Sequence, residues 1–194
     1  PVQLLDCDVE EPNSHLFLNT KDTEKRGVTT PVPVIDQDAC THCGACARFC
    51  EFNALAALPS KTMVFADLCH GCGGCMRICP EHAISEEGKS IGTVSIETQD
   101  HITFIQGLMN IGVAMAPPVI RAVKDHIDPN KTVIIDCPPG TSCSLITAVT
   151  GVDYAILVTE PTPFGLHDLS LAVETMRVLN IPFGGAAGGI RINT

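Results

Sequence analysis

The sequence predicts an α/β fold with a mostly parallel sheet, interrupted by a small cysteine-rich unit. Three observations carry this. Near-continuous apolar runs, Thr132-Val133-Ile134-Ile135-Asp136 and Tyr154-Ala155-Ile156-Leu157-Val158-Thr159, alternate with helical patterns, as do strands buried on both faces of a parallel sheet. Eight of the eleven cysteines fall between Cys40 and Cys79. Within that stretch, Asp38-x-Cys-x2-Cys-x2-Cys-x3-Cys recurs from Asp67, offset by 29 residues.

Taken in order, Val2-Gln3-Leu4-Leu5 reads as a strand closed by the acids Asp6, Asp8, Glu10 and Glu11. A polar stretch from Asn19 to Thr30, followed by Pro31-Val32-Pro33, reads as an extended linker. These boundaries divide the chain into residues 1–35, a cysteine unit at 36–90, and residues 91–194. The longest apolar stretch, Ile102 to Ile120, contains Gln106, Asn110 and Pro117-Pro118. It therefore reads as core or loop and not as a membrane span. Pro117-Pro118 opens a helix running to about Ile127. Thr141 to Thr150 forms another, ended by Gly151. Leu166, Leu169, Val173, Met176 and Leu179 follow helical spacing, and Asn180 and Pro182 stop it. Alternating strands and helices argue for α/β with right-handed crossovers.

Composition removes several function classes. The 194 residues are 45 % hydrophobic, enough for a packed core. A net charge of −10 without a basic segment leaves no footprint for nucleic-acid phosphates. Seven Phe, one Tyr and no Trp make a poor base-stacking platform. The cysteines are clustered, unlike a disulfide framework, and the first eleven residues hold four acids and no base, unlike a signal peptide. Metal in a reducing, cytoplasmic compartment is the expectation.

Cys40-Cys43-Cys46-Cys50 and Cys69-Cys72-Cys75-Cys79-Pro80 each match the C-x2-C-x2-C-x3-C run of bacterial ferredoxins. Three cysteines at every third residue wrap one loop around a cubane. The fourth has moved onto the next turn and ligates the other cluster. One 4Fe–4S cluster is thus expected on Cys40, Cys43, Cys46 and Cys79, and a second on Cys69, Cys72, Cys75 and Cys50. Zinc is the alternative, since paired C-x2-C motifs also bind it. Zinc needs four ligands, whereas each run offers three plus one. Glu51 stands where the first run usually has Pro. Cysteine-only ligation in an acidic protein favours a low potential. Cys7, Cys137 and Cys143 lie outside the runs and read as small buried hydrophobes. His42 and His70 occupy non-ligand positions inside the loops.

Asp6, Asp8 and Asp136 close strands. In open α/β sheets ligands bind beyond the carboxyl ends of the strands, where carboxylates hold Mg²⁺ or orient an attacking water. Taken singly, each is more often a cap or turn residue. Together with the doubled cysteine run, several blocks form a pattern: Leu4-Leu5-Asp6-Cys7-Asp8-Val9-Glu10-Glu11-Pro12, Asn110-Ile111-Gly112 through Pro118, Ile134-Ile135-Asp136-Cys137-Pro138-Pro139-Gly140-Thr141-Ser142, and Val158-Thr159-Glu160-Pro161-Thr162-Pro163 through Asp168. The chain resembles the MinD/ParA/Mrp superfamily of P-loop ATPases, in the subgroup with an inserted two-cluster ferredoxin module.

The resemblance implies a P-loop NTPase-like sheet with an inserted α+β bacterial-ferredoxin-like domain. It makes Asp136 the acid acting on Mg²⁺ through water, Asp8 the residue positioning the attacking water, and Asp6 its neighbour near the metal. Gly140 belongs to the loop sensing the γ-phosphate, and Asn193 reads the adenine edge. The family's K-G-G-x-G-K-T loop has no counterpart here, and Gly184 to Gly189 lacks its lysine and hydroxyl. The expectation is therefore a fragment truncated at both ends, inactive as an ATPase, with a gap where a central strand belongs. The complete protein would use two 4Fe–4S clusters, ATP and Mg²⁺ for ATP-gated electron transfer with redox partner proteins, and could dimerise through its nucleotide face. Two alternatives stand beside this: a plain ferredoxin-type electron carrier, or an iron–sulfur cluster carrier and assembly ATPase.

Overall fold

The computed structural model describes residues 1–18, 21–99, 101–187 and 190–192. Three strands, β1 (Val2–Asp6), β6 (Ile102–Met109) and β7 (Thr132–Asp136), run parallel with β1 in the middle. Two long strands extend this sheet on the β6 side: β2 (Lys21–Ile35) and β5 (Ile84–Gln99), antiparallel to each other, with β5 antiparallel to β6. The sheet order is β2-β5-β6-β1-β7. The fold is thus mixed α/β, its main sheet parallel on the β6-β1-β7 side and antiparallel on the other.

The segment read as a linker from Asn19 to Pro33 is, from Lys21 onward, strand β2. The correction has a physical reason. β2 is the edge strand, where Pro31 and Pro33 can spare their missing N–H groups and where Glu24, Lys25 and Arg26 face water. Its partner lies far away in sequence, Val34 opposite Ser85 and Arg26 opposite Val94, so no local pattern reveals it.

One core gathers Leu5, Cys7, Val9, Ile91, Val94 and Ile105 beneath helix α3 (Pro117–Lys124), which contributes Val119, Ile120 and Val123. A second, smaller core holds Cys46, Leu55, Cys75 and Ile84. The β2–β5 ribbon passes from one to the other: Val28 and Ile91 belong to the first core, Ile35 and Ile84 to the second. Residue 90, expected as a boundary, lies inside β5.

A second sheet comprises β8 (Ala155–Thr159), β9 (Phe183–Ala187) and β10 (Ile190–Ile192). β8 and β9 are parallel. Leu145 and Val149 of helix α4 (Cys143–Val149) and Met176 of α5 (Pro163–Val178) form its core. Thr162 caps α5, its hydroxyl accepting from the Gly165 N–H at 3.0 Å. Among the described residues β7 and β8 share no ladder, and apolar side chains beside this break are exposed: Ile134 on β7, Ile156 and Val158 on β8.

Candidate metal centre and carboxylate site

The cysteine unit is built twice. Helices α1 (Ala45–Phe49) and α2 (Gly74–Ile78) each begin one residue before the third cysteine of a run and carry it, at the 29-residue offset. The left-handed positions repeat at the same offset: His42 and Gly71, Gly44 and Gly73, Asn53 and His82. Gly44 and Gly73 stand at the N-caps with φ of 72° and 69°, a conformation that carries no steric penalty only for glycine. The short strands β3 (Leu55–Leu58) and β4 (Lys61–Val64) pair with each other, and their counterparts, the ends of β5 and β2, do likewise. Leu55 faces Val64 as Ile84 faces Ile35. Two equal halves thus exchange strands, which brings the end of each run against the start of the other.

Cys40, Cys43 and Cys46 line a cavity together with Cys79 from the second run, and with Thr62 and Ile84. Cys79 thus lies beside the three cysteines of the first run. Burial raises the Cys46 thiol pKa, and the neighbouring Cys40 and Cys79 thiols add to the shift. Burial likewise raises Cys75, with Cys69 and Cys72 beside it. Cys50 packs in the same small core as Cys75 and Cys79. The Ala54 N–H donates to Cys50 Sγ and the Gly71 N–H to Cys69 Sγ, both at 3.4 Å. Such N–H···S contacts stabilise the electron-rich sulfur of a cluster ligand. Among the described residues no three His, Cys, Asp or Glu side chains converge on a single-ion site. The donors spread around a cavity instead.

Thr62, which sequence reasoning passed over, is 2 % exposed. Its hydroxyl lies 3.4 Å from Cys40 Sγ and 3.2 Å from His42 Nδ1. The Gln37 side chain holds its backbone, accepting from Thr62 N–H and donating to its carbonyl. His70 stacks on Phe52 with ring centroids 3.8 Å apart.

The strand-end acids meet toward the carboxyl ends of the parallel strands of the main sheet. Asp6 pairs in register with Asp136 on β7 and with Gln106 on β6. Equal register in parallel strands puts all three on one face, with Asp6 and Asp136 ending their strands and Gln106 three residues before the end of β6. Asp6 is fully buried. Its Oδ1 accepts from the Asp8 N–H at 3.2 Å and its Oδ2 from the Ser14 N–H at 3.0 Å. The Ser14 hydroxyl donates to Asp136 Oδ2 at 2.7 Å. Burial raises the Asp6 pKa, with the Asp136 charge adding, while the two N–H donors oppose the shift. Burial also raises Asp8, followed by the charges of Asp6, Asp136, Glu10 and Glu11. Gln106 Oε1 is buried without a donor among the described residues.

The structure therefore joins Asp6, Asp8 and Asp136, and adds Ser14 and Gln106, which no local signal marks. Gly140, exposed with φ of 86°, lies in the loop between β7 and α4. Asn193 lies outside the described residues. Of the three remaining cysteines, Cys7 is buried as expected and Cys137 is half-buried, with thiols pushed up to about 12 and about 11 by desolvation. Cys143 is exposed at the start of α4, where the expectation of burial does not hold.

Residues 33–56 and 62–85 each match the Fer4 family, a 4Fe–4S binding domain. The two matches carry the same 29-residue offset as the helices. They mark the chain as an iron–sulfur protein. Across 181 residues it is 35 % identical to "Uncharacterized protein MJ0578" of Methanocaldococcus jannaschii, covering 92 % of this chain and 64 % of the relative. Over 183 residues it is 31 % identical to "Uncharacterized protein MJ0579" of the same organism, covering 93 % and 66 %. A shorter likeness, 35 % over 74 residues, joins it to an "Iron-sulfur cluster carrier protein" of Pyrococcus horikoshii, covering 34 % of this chain and 25 % of that one. The chain spans a little under two thirds of the length of the two jannaschii relatives. Among the described residues no helix is long and apolar enough to cross a membrane.

Proposed function

We propose that this chain forms the iron–sulfur part and much of the sheet of a MinD-like P-loop ATPase that gates electron transfer with ATP. The observation that carries the reading is the meeting of Asp6 and Asp136. They stand 130 residues apart in sequence yet side by side at the carboxyl ends of parallel strands, next to the break between β7 and β8. That break, with apolar side chains exposed on both flanks, supports a further parallel strand between β7 and β8, where the superfamily carries its phosphate loop. The two cores joined by the β2–β5 ribbon support a ferredoxin-like domain at about 36–90 inserted between 1–35 and 91–194.

Each 4Fe–4S cluster would supply one-electron chemistry, held by Cys40, Cys43, Cys46 and Cys79 and by Cys69, Cys72, Cys75 and Cys50. The carboxylate row fits a hydrated Mg²⁺. This hard ion takes oxygen ligands and keeps several waters, and those waters bring the donors that Gln106 Oε1 lacks. Asp136 would hold Mg²⁺ through water and Asp8 would orient the attacking water. Asp6 would sit beside the metal, Gly140 in the γ-phosphate loop, and Asn193 at the adenine. Mg²⁺ supplies charge neutralisation for the phosphoryl oxygens. Redox proteins as partners, a dimer through the nucleotide face and a cytoplasmic location complete the proposal.

The name of the Pyrococcus relative, an iron–sulfur cluster carrier, favours a second reading, cluster delivery, over about a third of the chain. Closed four-cysteine sets favour electron transfer instead. The deciding experiment is anaerobic iron and acid-labile sulfide analysis of the complete gene product, with low-temperature EPR after dithionite, with and without MgATP. About eight iron per chain and a spectrum altered by MgATP support gating. The same iron with no response to nucleotide leaves a ferredoxin on an idle scaffold. Transfer of iron to an apo-ferredoxin supports delivery, and zinc in place of iron overturns both.

A further inference from the structure

We infer that Ser14 is a positioning residue for the strand-end carboxylates: its hydroxyl fixes Asp136 and its backbone N–H fixes Asp6, so that the pair is preorganised for a divalent cation. This rests on the nucleotide-site reading above and adds a residue to it.

Three observations carry the role. Ser14 is bonded to both acids at once, through Oγ to Asp136 Oδ2 at 2.7 Å and through N–H to Asp6 Oδ2 at 3.0 Å. A donor to a carboxylate forms a charge-assisted bond, shorter and stronger than a neutral one. Two carboxylates side by side repel, and among the described residues only Asp6 has a further donor, the Asp8 N–H. A hydroxyl and an amide on the same residue lock both groups in one orientation. Asp136 Oδ1 keeps no hydrogen bond among the described residues, which leaves that oxygen for a metal-bound water.

The third observation separates Ser14 from ordinary packing. It opens a short 3-10 helix, Ser14–Phe17, whose apolar residues point outward: Leu16 is 73 % and Phe17 85 % exposed, while Ser14 is 8 %. Between Glu11 and Leu18, the hydrogen bonds that reach beyond the segment Asp8–Leu18 are, among the described residues, those of Ser14. The segment is anchored by its contact with the acids and not by a hydrophobic face. The contact is also invisible locally, since Ser14 and Asp136 lie 122 residues apart.

The test uses the complete gene product with oxidised clusters, and Mn²⁺ plus ADP as the probe. Free Mn²⁺ is followed by its six-line EPR signal, so the readout is binding and not turnover. Ser14→Ala should weaken Mn²⁺ binding by about tenfold, the order of one charge-assisted hydrogen bond partly recovered by water. Ser14→Thr, which keeps the hydroxyl, should restore it. Asp136→Asn should weaken it at least as much as Ser14→Ala. Iron content must match wild type in every variant. Where Ser14→Ala fails to load iron, Ser14→Cys takes its place, keeping the volume with only a weak donor. Wild-type Mn²⁺ affinity in Ser14→Ala, or no restoration by Thr, overturns the inference while the cation site stands. Identical binding by wild type and Asp136→Asn overturns the cation site itself, and the role of Ser14 with it.

Discussion

Replacing Lys124 by Met isolates a contact that ties the two sheets together. Lys124, in the last turn of α3, reaches across to the end of α4, where its ammonium donates to the carbonyls of Thr147 at 2.9 Å, Ala148 at 2.7 Å and Thr150 at 2.7 Å. These include the last carbonyls of a helix, which have no partner within it, and a cation there also complements the helix dipole. Hydrogen bonds from a charged donor contribute about 1.5–3 kcal/mol each. Burial lowers the Lys124 pKa, so part of that gain offsets desolvation of the ammonium. Met keeps the apolar stem, and water can reach the exposed Thr150 and, in part, the half-buried Thr147, but not Ala148, which is fully buried. The net loss should be about 2–3 kcal/mol. For 194 residues at about 2.1 cal/mol/K each, the unfolding entropy is about 0.4 kcal/mol/K, and Tm should fall by about 5–7 °C. The assay is anaerobic thermal unfolding followed by circular dichroism. Arg26→Met is the comparison, since Arg26 and Glu24 form an exposed pair worth under about 1 kcal/mol. Equal shifts in the two variants would refute the reasoning.

Three further outcomes are expected. If the cysteine runs cross-ligate, Cys79→Ala and Cys46→Ala remove the same cluster, so the double variant keeps about half the iron, whereas Cys79→Ala with Cys75→Ala leaves almost none. The reverse pattern in an iron assay shows each run holding its own cluster. Burial, and then the Asp136 charge, raise the Asp6 pKa above 3.8. The native state therefore binds the extra proton, and this contribution to stability is complete below 3.8 and lost as pH rises through the raised value. The urea midpoint of wild type relative to Asp6→Asn should accordingly drop between acid pH and neutrality, and a flat difference contradicts it. A Cβ at Gly107 would stand 2.6 Å from Val9 Cγ1 and 2.8 Å from Val123 Cγ2. Both neighbours are stiff, buried and β-branched, so Gly107→Ala should cost about 1–3 kcal/mol by overpacking, read as a lower urea midpoint.

Much of the local structure is legible in the residues. The run Thr132-Val133-Ile134-Ile135-Asp136 coincides with β7, and α5 covers the helical spacing from Leu166 to Val173 and Met176. The helix opened by Pro117-Pro118 ends three residues before the expected Ile127. The region around β2 is misread because prolines and charges look like a linker until its edge position and its partner are known.

Neighbours along the chain fix the apolar periods and the three-residue cysteine step that recurs after 29 residues. A chain segment of a few residues sets these through backbone geometry alone. Contacts between distant segments arise only once the chain is folded. Cys79 enters the cavity of the first run because two half-units exchange strands. Gln106 and Asp136 stand beside Asp6 because parallel pairing aligns distant strands in register, and Ser14 joins them through hydrogen bonds from a separate 3-10 helix. A hydroxyl or an amide carries no periodic signal, and its role appears only when folding places a carboxylate within hydrogen-bond reach or leaves an acceptor buried without a donor.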